Sequence, residues 1–425
     1  MPTTMLLTMV LCFALSISVA VSIGLASIVG AWQANLNLLT IVKEMFGAIN
    51  KFPLAAIPFF ILAGNLMESG GISQRLVEFA KSIVGGVQGG LAATCVLTCM
   101  IFAAVSGSSV ATTFAIGTIL IPALIRHGYP TSFAAALQAT SAELGVIIPP
   151  SIPMILYGVS AEVSIGELFI SGFGPGLLIG GALMAFVVVW ARMKGYGKLD
   201  REGRLPVWTA TRKAALALLM PVIILGGIYG GIFTPTEASA VAVFYALVVG
   251  VGVYRETKIS DLPRVLKKSV VSSAVIMFII ANAGLFSYLV TRAGLPEKIG
   301  AFLVEWLQTP ALFLLGVNVA LFVIGMFIET SASIIVLAPI LAPVAQHFGV
   351  DPVHFGIVMV VNLALGMITP PFGVNLFAAC TVARISVDQI VTRLVPFVLV
   401  VFACVIIVTY VPMVSIGLRD LVYAR

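Results

Sequence analysis

Charge is scarce in this sequence. Asp, Glu, Lys and Arg make up 9% of the 425 residues, whereas 60% of the residues are hydrophobic. A soluble globular domain carries about 25% charged residues, so this composition excludes one. Apolar runs such as residues 165–190 are long enough to cross a bilayer and lack the alternation of a β-strand. The sequence therefore predicts an all-α polytopic membrane protein.

Motifs for several other functions are missing. The glycine pairs at 85–86 and 89–90 are not followed by the Lys and Ser or Thr of a phosphate-binding loop, so we expect no ATP hydrolysis. The 23 basic residues form no domain that binds nucleic acid. The five cysteines lie in apolar runs without partner histidines, which indicates packing rather than a metal site.

The basic residues that are present predict the topology. Seven lie in residues 192–213 and five in residues 255–268, and the positive-inside bias places both segments in the cytoplasm. The stretch of residues 5–32 is too long for a signal peptide and predicts a first membrane helix. Further membrane helices are predicted near residues 168–191, 214–229, 237–254, 269–290, 352–382 and 394–414.

Two apolar stretches are interrupted by polar residues. Residues 91–126 contain Ser106-Gly107-Ser108-Ser109, and residues 310–346 contain the polar segment 329–333. Each limb has about 15 residues, fewer than the roughly 20 that a crossing needs, so we predict two re-entrant helical hairpins with polar tips near the membrane middle. Tilted and kinked full-length helices are the alternative that the sequence leaves open.

The sequence repeats itself with a shift of 221 residues, which aligns Pro149-Pro150 with Pro370-Pro371 and makes the two polar tips coincide. Because the predicted topology turns the two units in opposite directions, we expect inverted repeats, which are typical of secondary transporters. The predicted boundaries are a single membrane domain at 1–425, repeat 1 at 53–191 with a hairpin at 91–126 and a broken helix at 131–160, and repeat 2 at 269–414 with a hairpin at 310–346 and a broken helix at 352–382.

The Pro-Pro pairs define the candidate site. Proline lacks an N–H group and clashes with the preceding turn, so each pair unwinds its helix and frees carbonyl oxygens. These oxygens and the tip hydroxyls suit a small hard cation such as sodium, and half-helix amino ends can hold a substrate carboxylate. Glu143 and Glu329 support this interpretation, because intramembrane acids are costly and usually functional. In the alternative interpretation, Pro and Gly serve only kinking and close packing.

Other chemistry has less support from the sequence. His127, His347 and His354 fall at predicted loop ends, so a proton relay is a minor alternative. An intramembrane serine hydrolase at residues 106–109 would need a histidine at depth to activate its serine, and none is predicted there. We therefore expect no enzyme and no catalytic residue.

Five motifs resemble one family. They are PFFILAGNLM at 58–67, GSSVATTFAIG at 107–117, LGVIIPPSI at 144–152, GIFTPTEAS at 231–239 and TPPFGVNLF at 369–377. Together they resemble the large membrane subunit of the tripartite ATP-independent periplasmic (TRAP) transporters. The resemblance covers nearly the whole chain.

The resemblance implies a fold and a mechanism. Such subunits resemble members of the ion-transporter superfamily, with a scaffold domain and a moving domain that carries both hairpins in an elevator motion. The resemblance implies a bacterial inner-membrane importer of organic acids such as sialic acids and C4-dicarboxylates, driven by sodium ions and without another cofactor. The implied partners are a small four-helix membrane subunit and a periplasmic substrate-binding protein.

The resemblance also implies site residues by position. The first sodium set would be Ser106, Gly107, Ser108, Ser109, Gly145 and Pro149. The second sodium set would be Glu329, Thr330, Ser331, Gly366, Thr369 and Pro370. Substrate would contact Ser108, Ser109, Thr112, Pro150, Ser333 and Asn375. Two other functions stay open, namely a stand-alone sodium-coupled carboxylate symporter of the same superfamily and a passive channel.

Overall fold

The computed structural model describes residues 2–15, 17–197, 204–307 and 309–423, apart from the side chains of residues 302–304. All regular secondary structure in these ranges is helical, as the composition predicts. The α-helices in chain order are α1 (Pro2–Ala14), α2 (Val19–Gln33), α3 (Leu38–Ile49), α4 (Ala56–Ser69), α5 (Ile72–Val84), α6 (Gly90–Ser106), α7 (Ser109–Arg126), α8 (Thr131–Ala142), α9 (Leu144–Ile147), α10 (Ile152–Ser160), α11 (Ile165–Lys194), α12 (Val207–Tyr229), α13 (Pro235–Leu247), α14 (Leu262–Arg292), α15 (Leu295–Leu307), α16 (Pro310–Gly325), α17 (Thr330–His347), α18 (Pro352–Met367), α19 (Val374–Ala383), α20 (Val387–Tyr410) and α21 (Met413–Val422). A π-helical segment, Val248–Val253, extends α13, and 3-10 turns occupy Phe52–Ala55 and Ile259–Asp261.

Many of these helices are long enough to cross a membrane. By length and composition, the described residues contain eight such segments, or up to ten if each of two bent helix pairs counts as one span. The eight are Phe52–Ser69, Ser109–Arg126, Ile165–Lys194, Val207–Tyr229, Pro235–Val253, Ile259–Arg292, Thr330–His347 and Val387–Tyr410. Large apolar side chains such as Val270 and Leu399 remain exposed on them, as expected of surfaces that face lipid. The prediction of a polytopic membrane protein is confirmed.

The prediction of one membrane helix over residues 5–32 is wrong. That stretch forms two short helices, α1 and α2, which pack against each other. Their far ends meet, because Thr4 Oγ1 at the start of α1 donates a hydrogen bond to Gln33 Oε1 at the end of α2 over 2.7 Å. At the reversal, Ser22 Oγ donates to the carbonyls of Ile17 and Ser18. Such side-chain bonds to the backbone compete with a continuous helix, and hydropathy alone does not reveal them.

The predicted repeat 1 contains a pair of helices joined by a two-residue link, followed by a broken helix. Gly107 adopts the left-handed conformation (φ 61°) that ends α6, and Ser108 is the N-cap of α7. The next helix, α8 with α9, stops before Pro149-Pro150, and α10 continues with a bend of 42°. The two prolines therefore break the helix, as their chemistry predicts.

The predicted repeat 2 has the same order of elements. Residues 326–329 join α16 to α17, and residues 368–373 separate α18 from α19. The peptide bonds Pro149-Pro150 and Pro370-Pro371 are both cis. The two halves thus share two helices joined by a short link and then a helix interrupted at a Pro-Pro pair.

A glycine-rich connection joins α5 to α6. It consists of the five residues between Val84 and Gly90 and contains Gly85, Gly86 and Gly89, while Gly90 begins α6. Gly89 has a φ of 84°, and a Cβ atom at Gly90 would lie 2.6 Å from the carbonyl oxygen of Val84. The chain reverses tightly here because these positions have no side chain.

The broken helices lie in the centre of the molecule. Every residue from 133 to 158 is buried, and so is every residue from 353 to 368. Around them, α4 packs on α13 and α14, α5 packs on α12, and α14 also packs on α2 and α3. The first Pro-Pro break is therefore enclosed by protein, whereas the second lies where α18 leaves the buried centre.

Candidate functional site

The first tip is a cluster of hydroxyl groups. Ser106 Oγ and Thr112 Oγ1 are hydrogen-bonded over 3.0 Å, and Thr112 Oγ1 donates to the carbonyl oxygen of Ser108 over 2.8 Å. Ser106 and Thr112 are buried, and so is Ser109, the first residue of α7. The tip residues predicted from the sequence therefore lie together. Thr112, predicted as a substrate residue, joins this cluster from one turn into α7.

The first tip packs directly on the first Pro-Pro break. The backbone N–H of Ile152 donates to the carbonyl oxygen of Gly107 over 3.4 Å. A Cβ atom at Gly145 would lie 2.7 Å from Thr112 Oγ1 and 2.8 Å from the Ser108 carbonyl oxygen. The backbone of Gly145 thus approaches the tip as closely as only glycine allows. Pro149 and Pro150 are buried in the break itself.

The second tip has a carboxylate in place of the first tip's neutral hydroxyls. Glu329 is the N-cap of α17 and accepts hydrogen bonds from the backbone N–H groups of Ser331 (2.8 Å) and Ala332 (3.2 Å) and from Ser331 Oγ (2.9 Å). A negative charge at a helix amino end is stabilised by the helix dipole. Glu329 therefore braces the start of α17.

The second tip also packs on its Pro-Pro break. The backbone N–H of Phe372 donates to the carbonyl oxygen of Met326 over 3.2 Å, and a Cβ atom at Gly366 would overlap the backbone of Gly325. Thr330 Oγ1 contacts the sulfur of Met367 at 2.9 Å. The link and the break meet as they do in repeat 1, although by different atoms.

The remaining members of the second set lie in or beside the break. Thr369, just beyond the end of α18, donates its Oγ1 hydroxyl to the Leu365 carbonyl of that helix over 2.9 Å. Pro370 follows it and is half-buried. The Pro-Pro pair therefore directly follows a residue, Thr369, whose hydroxyl is hydrogen-bonded to the end of α18.

Asn375 connects the two repeats. Its Nδ2 donates to Glu143 Oε1 over 2.6 Å, and its Oδ1 accepts a hydrogen bond from Thr113 Oγ1 over 3.1 Å. Asn375 is fully buried, and Glu143 is close enough to Glu329 for the two carboxylates to interact electrostatically. Thr113 is not among the residues predicted from the sequence. Its position one helical turn after Ser109, in the same motif, could have indicated that its hydroxyl faces the same side of α7.

Ser333 lies in different surroundings from the other predicted substrate residues. It lines an apolar cavity of about 300 Å³ formed with α1, α2, α14, α15 and α16. Its Oγ is buried and has no hydrogen-bond partner among the described residues. The structure therefore places Ser333 on a side of α17 that faces an apolar cavity.

A charged cluster lies at the start of α18, away from both tips. Arg419 Nη1 lies 2.9 Å from both carboxylate oxygens of Asp351 and 3.9 Å from Glu167 Oε2. Burial acts to raise the pKa of Asp351, but the N–H groups of His354 and Val353 and the Arg419 guanidinium together lower it below its usual value. This cluster fastens α21 to both repeats.

His354, one of the predicted loop-end histidines, is buried beside this cluster. Its Nδ1 lies 2.6 Å from Ser415 Oγ, and its Nε2 lies 3.1 Å from the carbonyl oxygen of Thr409. Both ring nitrogens are thus engaged by the carboxy-terminal segment. These contacts give His354 a structural role in this part of the molecule.

A family model described as "Tripartite ATP-independent periplasmic transporter, DctM component" matches residues 6–414 of the chain. The chain belongs to this family. The resemblance seen in the five motifs is thereby confirmed, and so is the assignment to multi-pass membrane transport proteins.

Individual relatives agree with the family. The chain is 45% identical over 378 residues to the C4-dicarboxylate TRAP transporter large permease protein DctM of Pseudomonas aeruginosa, covering 89% of this chain and 88% of that protein. It is 42% identical over 398 residues to the isethionate TRAP transporter permease protein DctMQ of Oleidesulfovibrio alaskensis, covering 93% of this chain and 63% of that protein. These relatives are permeases, a class of protein that is not enzymatic.

The fold has a solved counterpart. The crystal structure of the YdaH transporter of Alcanivorax borkumensis superimposes with a TM-score of 0.61, covering 89% of this chain and 88% of that one at 17% sequence identity. At this identity the likeness concerns the fold alone. The helices of this chain are thus arranged as in a known membrane transporter.

Proposed function

We propose that this chain is the large membrane subunit of a sodium-driven TRAP importer that moves an organic acid from the periplasm to the cytoplasm. The observation that carries the proposal is the pair of equivalent sites, each made of a helix link packed on a Pro-Pro break. Paired broken helices that meet inside inverted repeats are a recurring design of secondary transporters. Family membership supports the same reading.

Sodium binds at the two tips in this proposal. A break leaves carbonyl oxygens without helical partners, and sodium, as a hard cation, prefers oxygen ligands. At the first tip, Ser108 lies against Gly145 and Gly107 lies against Pro150 and Ile152. At the second tip, Met326 in the link bonds to Phe372 in the break at residues 368–373. The elements that would surround each ion are therefore already in contact.

The substrate carboxylate binds between the tips. The candidate substrate residues include no lysine or arginine, so helix amino ends and bound sodium supply the positive potential. The amino ends of α7 and α17 begin at Ser109 and Thr330, next to the two tips. Weak recognition by dipoles leaves selectivity to a soluble partner. The substrates named for relatives, C4-dicarboxylates and isethionate, are small organic anions.

The transport movement is an elevator motion in this proposal. The two links and the two broken helices move together, because Asn375 and Glu143 bond one broken helix to the other. The scaffold consists of the peripheral helices, among them α4, α12 and α13. The proposed partners are a small membrane subunit in the bacterial inner membrane and a periplasmic binding protein. The permease name DctMQ of one relative, which is longer than this chain, supports a second membrane component.

Uptake of labelled organic acids into proteoliposomes tests the proposal. The vesicles contain this chain and its small subunit, and each acid is assayed with and without binding protein and with and without an inward sodium gradient. We expect uptake that requires both. Uptake with sodium but without binding protein would assign the chain to the stand-alone symporters, and uptake indifferent to sodium would favour a passive channel and contradict the mechanism.

A further inference from the structure

Glu143 is a buried carboxylate whose hydrogen bonding is incomplete. It lies at the end of α8 and exposes 2% of its surface. One oxygen, Oε1, accepts the hydrogen bond from Asn375 Nδ2. The other oxygen, Oε2, has no hydrogen-bond partner among the described residues. A buried carboxylate oxygen without a partner is costly, so this atom points to a ligand that the chain itself does not provide.

The charge of Glu143 is also uncompensated within the described part of the chain. Its bonded neighbour Asn375 is neutral, and the charge that acts on it is Glu329, which has the same sign. The ion pairs found among the described residues join other side chains. We infer that a sodium ion binds at Glu143 Oε2, at a third site beside the two tips. This inference rests on the proposed function, because it assigns one more coupling ion to the same cycle.

The chemistry around Glu143 favours an alkali cation. Asn375 Oδ1 belongs to the amide that binds Glu143, and Thr113 Oγ1 bonds to it. Carboxylate, amide and hydroxyl oxygens are hard ligands. In the part of the chain that the structure describes, no three His, Cys, Asp or Glu side chains are grouped for a metal. A single carboxylate balances one positive charge, which suits a monovalent ion.

The position of Glu143 gives this ion a different role from the tip ions. Each tip joins elements of one repeat, as the contact between Gly107 and Ile152 illustrates. Glu143 instead follows α8 in repeat 1, and Asn375 belongs to α19 in repeat 2. An ion at Glu143 therefore holds the two broken helices together. Its release loosens one repeat against the other, which links sodium occupancy to their relative position.

Thermal unfolding of the purified membrane complex in sodium chloride, with choline chloride at equal ionic strength as reference, tests this site. The variant is Glu143→Gln, because glutamine keeps the size and the acceptor for Asn375 but removes the charge. We expect the sodium concentration for half-maximal stabilisation to rise about tenfold and the Hill coefficient to fall. A Glu143→Gln curve that superimposes on the wild-type curve would overturn the inference.

Two further variants separate the possible outcomes. Glu237→Gln is the matched control, since Glu237 is exposed at the start of α13 and caps that helix with Thr234; we expect its sodium curve to match wild type. Ser108→Ala reports on the first tip. A shifted Ser108→Ala curve beside an unchanged Glu143→Gln curve would overturn this inference alone. Wild type and Ser108→Ala both indifferent to sodium would overturn the proposed function and this inference together.

A measurement on the wild-type protein decides the question if Glu143→Gln does not fold. N,N′-dicyclohexylcarbodiimide modifies carboxyl groups buried in membrane proteins, and mass spectrometry locates the modified peptide. We expect sodium, but not choline, to slow the modification of Glu143. Equal modification in the two salts would overturn the inference.

Discussion

The two Pro-Pro breaks are buried to different depths. In repeat 1 every residue from 145 to 152 is buried, whereas in repeat 2 Pro371 is exposed and Phe372 exposes 59% of its surface. The Phe372 ring packs beside that of Phe327 with the centroids 5.8 Å apart. Irregular backbone at membrane depth must be buried in protein or face water. The second break therefore needs an aqueous cavity or a partner surface, and the first does not.

The tips differ in charge as well as in depth. Ser108 caps α7 with a neutral hydroxyl at 3.4 Å from the N–H of Ala111, whereas Glu329 caps α17 with a carboxylate that accepts three hydrogen bonds. Charge-assisted hydrogen bonds are the stronger ones. The more exposed repeat thus has the more firmly capped helix. The difference shows that equivalent positions in a repeat can serve unequal tasks.

The largest expected effect comes from adding a methyl group where a link meets its break. Gly366→Ala places a Cβ atom on the backbone of Gly325, which cannot move aside. We expect a loss of about 3 kcal/mol in unfolding free energy or a failure to fold, measured by thermal unfolding in detergent. Gly181→Ala in α11, where a Cβ atom would contact nothing within 4 Å, is the control. Equal stability of both variants would contradict the close packing of the second site.

A smaller effect is expected from cutting the connection between the repeats. Asn375→Ala removes the hydrogen bonds to Glu143 and Thr113 and leaves a buried carboxylate oxygen unpaired. We expect the free energy of unfolding to fall by about 2 kcal/mol, again by thermal unfolding. Thr381→Ala on the same helix removes an exposed hydroxyl that bonds to its own helix and is expected to be nearly neutral. An Asn375→Ala protein as stable as wild type would mean that the repeats are held together by other contacts.

Substitutions of one tip hydroxyl in each repeat compare the two repeats directly. We expect Ser108→Ala and Thr330→Ala each to raise the sodium concentration for half-maximal uptake about tenfold, which corresponds to about 1.4 kcal/mol, while folding is retained. Sodium-dependent uptake into proteoliposomes measures both. If both variants transported with unchanged sodium dependence, the tip sites would be wrong. If only Ser108→Ala changed the sodium dependence of uptake, sodium binding would depend on the first tip alone.

The smallest expected effect concerns the amino ends of the broken helices. Asp351 caps α18, whereas Pro130 precedes α8 and offers no side-chain cap. The lowered pKa of Asp351 means that its stabilisation is complete above the ordinary pKa of about 4 and is lost as the pH falls through the lower folded value. We therefore expect Asp351→Asn to flatten the acid side of the Tm profile below about pH 4. Asp388→Asn, at an exposed position of α20, should leave the profile unchanged.

Much of the helical order could be predicted from the sequence, because hydropathy and prolines act locally. The predicted spans over residues 168–191, 214–229 and 269–290 lie inside α11, α12 and α14. Both Pro-Pro pairs interrupt their helices as their chemistry requires. Re-entrant insertion of the two helix pairs stays a prediction.

Other features depend on contacts that a local pattern does not contain. Residues 329–333 were predicted as a tip, yet Glu329 caps α17, so Thr330 to Ser333 form its first turn and the link lies earlier, at residues 326–329. The bond between Glu143 and Asn375 joins residues 232 positions apart. The fold-back of α1 on α2 rests on the contact between Thr4 and Gln33. Such pairings arise only when the chain is packed.

The glycine-rich connection between α5 and α6 sets a limit on any large movement. Six Cα-to-Cα steps separate Val84 from Gly90, and a fully extended chain advances at most about 3.6 Å per step, or ~20 Å in all. The start of α6 therefore cannot lie more than ~20 Å from the end of α5 unless part of one of these helices unwinds. The length of this connection, rather than the thickness of the bilayer, thus limits how far α6 can move relative to α5.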